Sequence, residues 1–164
     1  MHYLVKLIVE APTSADALVM AERDADELVE RGDFDWYTLK GRWGDSKACG
    51  VNSQKGKILI KQGMEANRQQ FDDALKHIRY MLQNYSEEEI YNEDFRRDEK
   101  LPDGLWYISR YNFTLAGGGP NAACVYAVDS NLWGSRIDND KDLKVVLSNK
   151  GDRKLWVVPV DFHS

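Results

Sequence analysis

The sequence predicts an α+β fold: a largely antiparallel sheet with two or three helices packed on one face. Three observations lead there. The chain opens strand–helix–strand, a ferredoxin-like start, passes through strong helical periodicity, and closes on a run of strand-like segments. Its 164 residues are the size of one ordinary domain, so the expectation is a single α+β domain over 1–164. Hydrophobic residues at 43% and charged residues at 30% exclude a disordered tail.

Tyr3 to Val9 is rich in β-formers and apolar on both faces apart from Lys6, as an interior strand requires. Pro12 ends it. Thr13 followed by Asp16 resembles a capping box with Asp in place of Glu, and Leu18, Ala21, Ala25, Leu28 and Val29 recur at helical spacing. Gly32 supplies the stop. Phe34 to Leu39 reads as the second strand. From about 41 to 63 the texture changes to Gly, Lys, Ser, Asn and Gln, which reads as an irregular insertion with one short strand at Ile58-Leu59-Ile60.

The clearest helix follows, with Phe71, Ala74, Leu75, Ile78, Met81, Leu82 and Tyr85 on one face. Ser86 with Glu89 is a second capping box, opening a short acidic helix through about Arg97. Leu105 to Leu115 alternates as a strand, Gly117-Gly118-Gly119-Pro120-Asn121 interrupts it, and Ala122 to Val128 resumes it. Lys144 to Leu147 and Leu155 to Val160 flank Asn149-Lys150-Gly151-Asp152 as a β-hairpin.

Charge and composition narrow the functions. Twenty-two Lys and Arg against 27 Asp and Glu leave a net charge of −5, which argues against non-specific binding to duplex DNA. Cys49 and Cys124 read as two small buried or half-buried thiols rather than a disulfide, and no Cys/His cluster has metal-ligand spacing, so neither a metal nor another cofactor is expected. The N-terminus lacks the pattern of a signal peptide, and no run approaches the length of a membrane span. The expectation is a cytoplasmic protein without membrane partners.

The sharpest local signal is Asp35-Trp36-Tyr37-Thr38-Leu39-Lys40-Gly41-Arg42-Trp43-Gly44. Aromatic rings beside a guanidinium make a platform for a planar or anionic ligand: the rings stack, and the planar fork of Arg pairs with a carboxylate or phosphate. The same residues also read as core anchors, with Arg42 satisfied by carbonyls or by Asp35. On this segment the chain resembles small proteins of uncharacterised function, encoded mostly by bacteriophages and prophages, with a D-W-Y-x-x-G-G-R-W signature. Asp35, Trp36, Tyr37, Gly41, Arg42 and Trp43 match it; Lys40 stands where that pattern has its first Gly. The tail Val157 to Val160 followed by Asp161-Phe162-His163 is also similar to the strand and Asp/His end of many members. The resemblance implies a viral or mobile-element origin, a host-cell cytoplasmic location and a host-defence target. It implies no catalytic residue.

Other candidates are weaker. Gly117, Gly118 and Gly119 could present N–H groups to a phosphate or form a lid, or simply join two strands. Trp133, in a polar loop, is a second stacking candidate. Asp161-x-His163 could be a general acid/base pair if the tail folds over a site, or could be a frayed terminus. Glu87, Glu88, Glu89, Tyr91, Glu93 and Asp94 combine carboxylates with an aromatic residue, as a segment entering a basic groove would, or form a solvated helix face.

Three functions follow. The first is an accessory protein that binds and sequesters a small anionic, nucleotide-like ligand through Trp36, Tyr37, Lys40, Arg42, Trp43, the glycines 117–119 and Trp133. The second is an inhibitor of a host enzyme or nuclease that uses the acidic segment. The third is a phosphodiesterase-like enzyme built on Asp35, Arg42 and His163.

Overall fold

The structure is a computed structural model that describes residues 2–101, 125–127, 135–149 and 153–163. The chain runs β1 (His2–Glu10), α1 (Ser14–Glu30), β2 (Trp36–Thr38), β3 (Lys40–Gly41), β4 (Gly44–Asp45) and β5 (Cys49–Gly50). It continues through α2 (Gln54–Asn84), α3 (Glu87–Tyr91), a 3-10 turn (Asp94–Arg97), β6 (Val125–Ala127), β7 (Ser135–Arg136), α4 (Asp140–Ser148) and β8 (Leu155–His163). The fold is α+β with a mostly antiparallel sheet, and it opens with a strand and a helix. Two compact units divide it, Met1–Asn67 with Ala122–Ser164, and Arg68–Asn121.

In the first unit β1 and β8 pair antiparallel along their whole length, from His2 opposite His163 to Glu10 opposite Leu155. The sheet order is β2-β8-β1-β6-β7, with β6 parallel to β1 and β5 also on β8. β1 is thus an interior strand, which explains its run of apolar residues on both faces. Period-two alternation then sorts the sheet. One face carries Tyr3 opposite Phe162, Val5 opposite Val160 and Leu7 opposite Val158, all buried. Against it lies α1, which buries Ala17, Ala21, Ala25 and Leu28. Thr13 caps α1 by accepting the Asp16 N–H, and Gly32 follows its end at φ +76°, in the left-handed region that glycine tolerates.

The opposite face carries His2 and His163, Leu4 and Asp161, Lys6 and Pro159, and Ile8 and Val157 as cross-strand pairs. Ile60 of α2 and Val146 of α4 pack with Ile8 and Val157 in a buried cluster. Helices therefore occupy both faces, where the sequence placed them on one.

Two further expectations are corrected. The irregular insertion over 41–63 is ordered: β3 and β4 form a small hairpin, β5 joins the sheet, and Ile58-Leu59-Ile60 lies in α2 rather than in a strand. The buried residues of this stretch of α2 are Gly56, Ile60, Gly63 and Asn67, spaced four, three and four apart. This is a helical face made mostly of small or polar residues, and apolar periodicity cannot reveal it. A Cβ at Gly56 would overlap the Gly50 carbonyl, so close approach selects glycine there, and Ser53 caps the helix through its hydroxyl on the Gly56 N–H at 3.0 Å. The hairpin expected from Lys144–Leu147 is likewise helical, because Asn139 accepts the N–H groups of Lys141 and Asp142 and nucleates α4. The strand expected over Leu105–Leu115 lies outside the described residues.

In the second unit, Met81, Phe95 and Leu101 form a small core with Tyr80, Tyr85 and Ile90 against it. The capping box is present: Ser86 accepts the Glu89 N–H, and Glu89 accepts the Ser86 N–H at 2.8 Å. The acidic helix is shorter than expected. It ends at Tyr91, and Glu93 at φ 62° turns the chain into the 3-10 segment.

Candidate functional site

Strand alternation on β8 turns Asp161 and His163 to the face away from α1, with Phe162 between them turned toward it. β2 and β1 pair on either side, so residues from three strands line up in two rows. Trp36, His163 and His2 form the outer row; Thr38, Asp161 and Leu4 form the next. The tail is thus part of an interior strand of the sheet, not a frayed end.

The outer row is an aromatic cluster. Trp36 stacks on His163 with ring centres 5.1 Å apart and planes 6° from parallel. His2 meets Trp36 edge-on at 5.4 Å, His163 at 5.2 Å and Trp43 at 6.4 Å. The turn between β3 and β4 delivers Trp43, and the Arg42 guanidinium lies over its ring at 5.8 Å. Both indoles stay near half exposed, Trp36 at 44% and Trp43 at 48%, which rules them out as core anchors.

Two carboxylates hold the two imidazoles. Asp161, 4% exposed, places Oδ1 2.9 Å from His2 Nδ1, and its Oδ2 accepts the Arg42 backbone N–H at 3.1 Å. A Cβ on Gly41 would overlap that carboxylate, so the hairpin seats on Asp161 because residue 41 lacks a side chain. Asp35 places Oδ2 3.2 Å from His163 Nδ1, and its backbone N–H donates to the His163 carbonyl at 2.8 Å. Asp161 and His163 are therefore not partners of each other; each belongs to a separate imidazole–carboxylate pair.

Beside this cluster opens a cleft of about 200 Å³, lined by Thr38, Trp43, Ser46, Lys47, Lys55 and Asp161 among others. Lys47 and Lys55 are exposed and bring positive charge to it, while Asp45 and Asp161 in the same lining bring carboxylates. Ser46 donates its hydroxyl to the Pro159 carbonyl, pinning the strand after the hairpin to β8.

The structure sorts the residues expected at a ligand site. Trp36, Arg42 and Trp43 come together, and Arg42 is held through its backbone on Asp161, not through a guanidinium pair with Asp35. Lys40 is exposed in β3, with its N–H donated to the Thr38 hydroxyl at 3.1 Å. Tyr37 is corrected. Being next to Trp36 in a strand, it points to the α1 face, packs on Phe162 with ring centres 5.7 Å apart, and donates its hydroxyl to Asp26 at 2.7 Å. Burial, that hydrogen bond and the Asp26 charge push its phenol well above the usual value. Tyr37→Phe is expected to cost about 0.5–1.5 kcal/mol in urea denaturation and to leave ligand affinity unchanged. A large affinity loss at undiminished stability would return Tyr37 to the site. Gly117, Gly118, Gly119 and Trp133 lie outside the described residues.

Sequence reasoning missed His2 altogether and gave Asp161 the wrong partner. Both signals lie in a pairing across 159 positions of sequence, which no local pattern announces. The acidic segment belongs to the other unit, and much of it is engaged locally. Glu89 completes the capping box, which lowers its carboxyl through the Ser86 hydrogen bonds, and Glu88 accepts from Asn92 at 3.3 Å. Tyr91 remains 84% exposed, whereas Phe95 is buried. Among the described residues no group of three or more His, Cys, Asp or Glu is arranged to hold a metal ion, and no helix is long and apolar enough to cross a membrane.

Over its full length, residues 1–164, the chain matches the family described as a domain of unknown function (DUF7995), and it belongs to that family. No curated protein and no solved structure matches it significantly.

Proposed function

We propose that this protein binds a small anionic, nucleotide-like ligand, with a planar base on Trp36 and Trp43 and the phosphate toward Arg42, Lys47 and Lys55. The observation that carries this reading is the pair of half-exposed indoles flanking two imidazoles, with one indole, Trp43, also lining a cleft that bears two lysines. Large aromatic side chains left in water forgo the burial that normally stabilises them, and a base stacking on each recovers it. An aromatic platform accepts any π-face, while a guanidinium and two ammonium groups select for negative charge. The acidity of the protein does not oppose this, because many of its carboxylates lie elsewhere, on the outer face of α1 and in the Glu87–Asp94 segment.

Calorimetric titration with AMP, GMP and the cyclic dinucleotides of adenosine and guanosine tests the reading. Trp36→Ala and Trp43→Ala are each expected to weaken binding by about 1–3 kcal/mol, roughly five- to more than a hundredfold. Lys47→Glu with Lys55→Glu is expected to weaken it further and to flatten its salt dependence. Absence of heat with every nucleotide, in protein shown to be folded, defeats the proposal.

A further inference from the structure

We propose that the site cleaves the phosphodiester of a ribonucleotide, with His2 and His163 as its general acid and base. This rests on the reading of the site as a nucleotide-binding surface and adds turnover to it. The two imidazoles are cross-strand neighbours on β1 and β8, edge to face with ring centres 5.2 Å apart, close enough for one phosphodiester to engage both. Each has Nδ1 against a carboxylate, His2 on Asp161 and His163 on Asp35, an arrangement that fixes a ring's tautomer and orientation. Both rings keep part of their surface in solvent, 23% for His2 and 32% for His163. Elsewhere in a fold a histidine–carboxylate pair is commonly structural; two such pairs in ring contact, beside a cleft that holds Lys47 and Lys55, supply the acid and the base that one phosphoryl group needs.

The substrate itself can supply the nucleophile. Among the described residues the hydroxyl-bearing ones lining the cleft are Thr38 and Ser46, and both are engaged with backbone, Thr38 accepting from the Lys40 N–H and Ser46 donating to the Pro159 carbonyl. A ribose 2′-hydroxyl next to the scissile phosphate supplies the missing group. One imidazole takes the 2′-hydroxyl proton as the 2′-oxygen bonds to phosphorus. The bond from phosphorus to the 5′-oxygen breaks, its electron pair stays on that oxygen, and the other imidazole protonates it. The products are a 2′,3′-cyclic phosphate and a free 5′-hydroxyl, with no oxidant, reductant or added water consumed. Arg42, over the Trp43 ring, and Lys47 and Lys55, in the adjoining cleft, are the cationic groups available to the charge that accumulates on the non-bridging oxygens.

The experiment uses full-length protein in EDTA, with cyclic di-AMP, cyclic di-GMP and the diribonucleotides ApA and GpA as probes, each beside its 2′-deoxy counterpart. Products are followed by mass spectrometry and binding by calorimetry. The expected result is a 2′,3′-cyclic phosphate product from at least one ribo probe, none from the deoxy counterpart, and binding of both. His2→Gln and His163→Gln are each expected to lower the rate by about a hundredfold or more, with circular dichroism confirming the fold. Binding of ribo probes without cleavage overturns the inference and leaves the binding proposal standing. Cleavage of the deoxy probes at the same rate, or cleavage untouched by both histidine substitutions, overturns the mechanism. No binding of any probe overturns both.

Discussion

Asp161→Ala is expected to abolish most nucleotide binding, with affinity falling more than tenfold, and to destabilise the fold by about 1–3 kcal/mol. Two connections run through this one buried carboxylate. Oδ1 orients the His2 ring, and Oδ2 holds the Arg42 N–H and with it the turn that carries Trp43. Removing it strands a backbone donor and frees both the hairpin and the imidazole, so half the aromatic platform loses its support. Asp161→Asn separates the parts. Its amide oxygen can still accept from Arg42, but it cannot offer His2 a negative charge, so stability is expected to recover more than ligand response. Urea denaturation and calorimetry on the two variants measure this. Unchanged affinity in Asp161→Ala would remove Asp161 as the organiser of the site.

Gly41→Ala carries the second large effect. The added Cβ overlaps the Asp161 carboxylate, and either the hairpin or the buried acid must move. Overpacking of this kind costs about 1–3 kcal/mol, and the displaced hairpin takes Arg42 and Trp43 out of register with Trp36. Affinity is expected to fall by at least about tenfold, the loss that corresponds to 1.4 kcal/mol. The double variant Gly41→Ala with Asp161→Gly provides the check. With the whole Asp161 side chain gone, its Cβ included, the extra methyl has space, so the double variant should lose clearly less stability than the sum of the two single variants. Strict additivity would show that the two residues do not meet.

The sequence announced those elements whose cause is local. Thr13 and Gly32 bound α1, and Ser86 with Glu89 opens α3, because caps are satisfied by residues a few positions away. The apolar run of β1 reveals an interior strand for the same reason. Where packing against the sheet set the rule, local reading failed. The start of α2 buries Gly56, Gly63 and Asn67; Gly56 is set by its closeness to the Gly50 carbonyl and Asn67 by its hydrogen bond to the Ile137 carbonyl, rather than by apolarity. Val145 and Val146 favour strands intrinsically, yet the Asn139 cap and the burial of Val146 against Ile8 and Ile60 make them helical.

The site divides in the same way. The sequence by itself determined that Trp36, Arg42 and Trp43 arrive together at the end of a short strand, bounded by glycines, since that follows from their adjacency. It also determined that Trp36 and Tyr37 take opposite faces once they lie in a strand. Tertiary structure decided which face meets α1, so that Tyr37 is spent on packing while Trp36 meets solvent. It likewise decided that the first and last strands are neighbours. That pairing brings His2 to Asp161 and His163, and Asp35 to His163, from the two ends of the chain. The physical reason is that side-chain alternation is a property of one strand, whereas register is a property of two. Only the paired sheet sets the two imidazoles side by side.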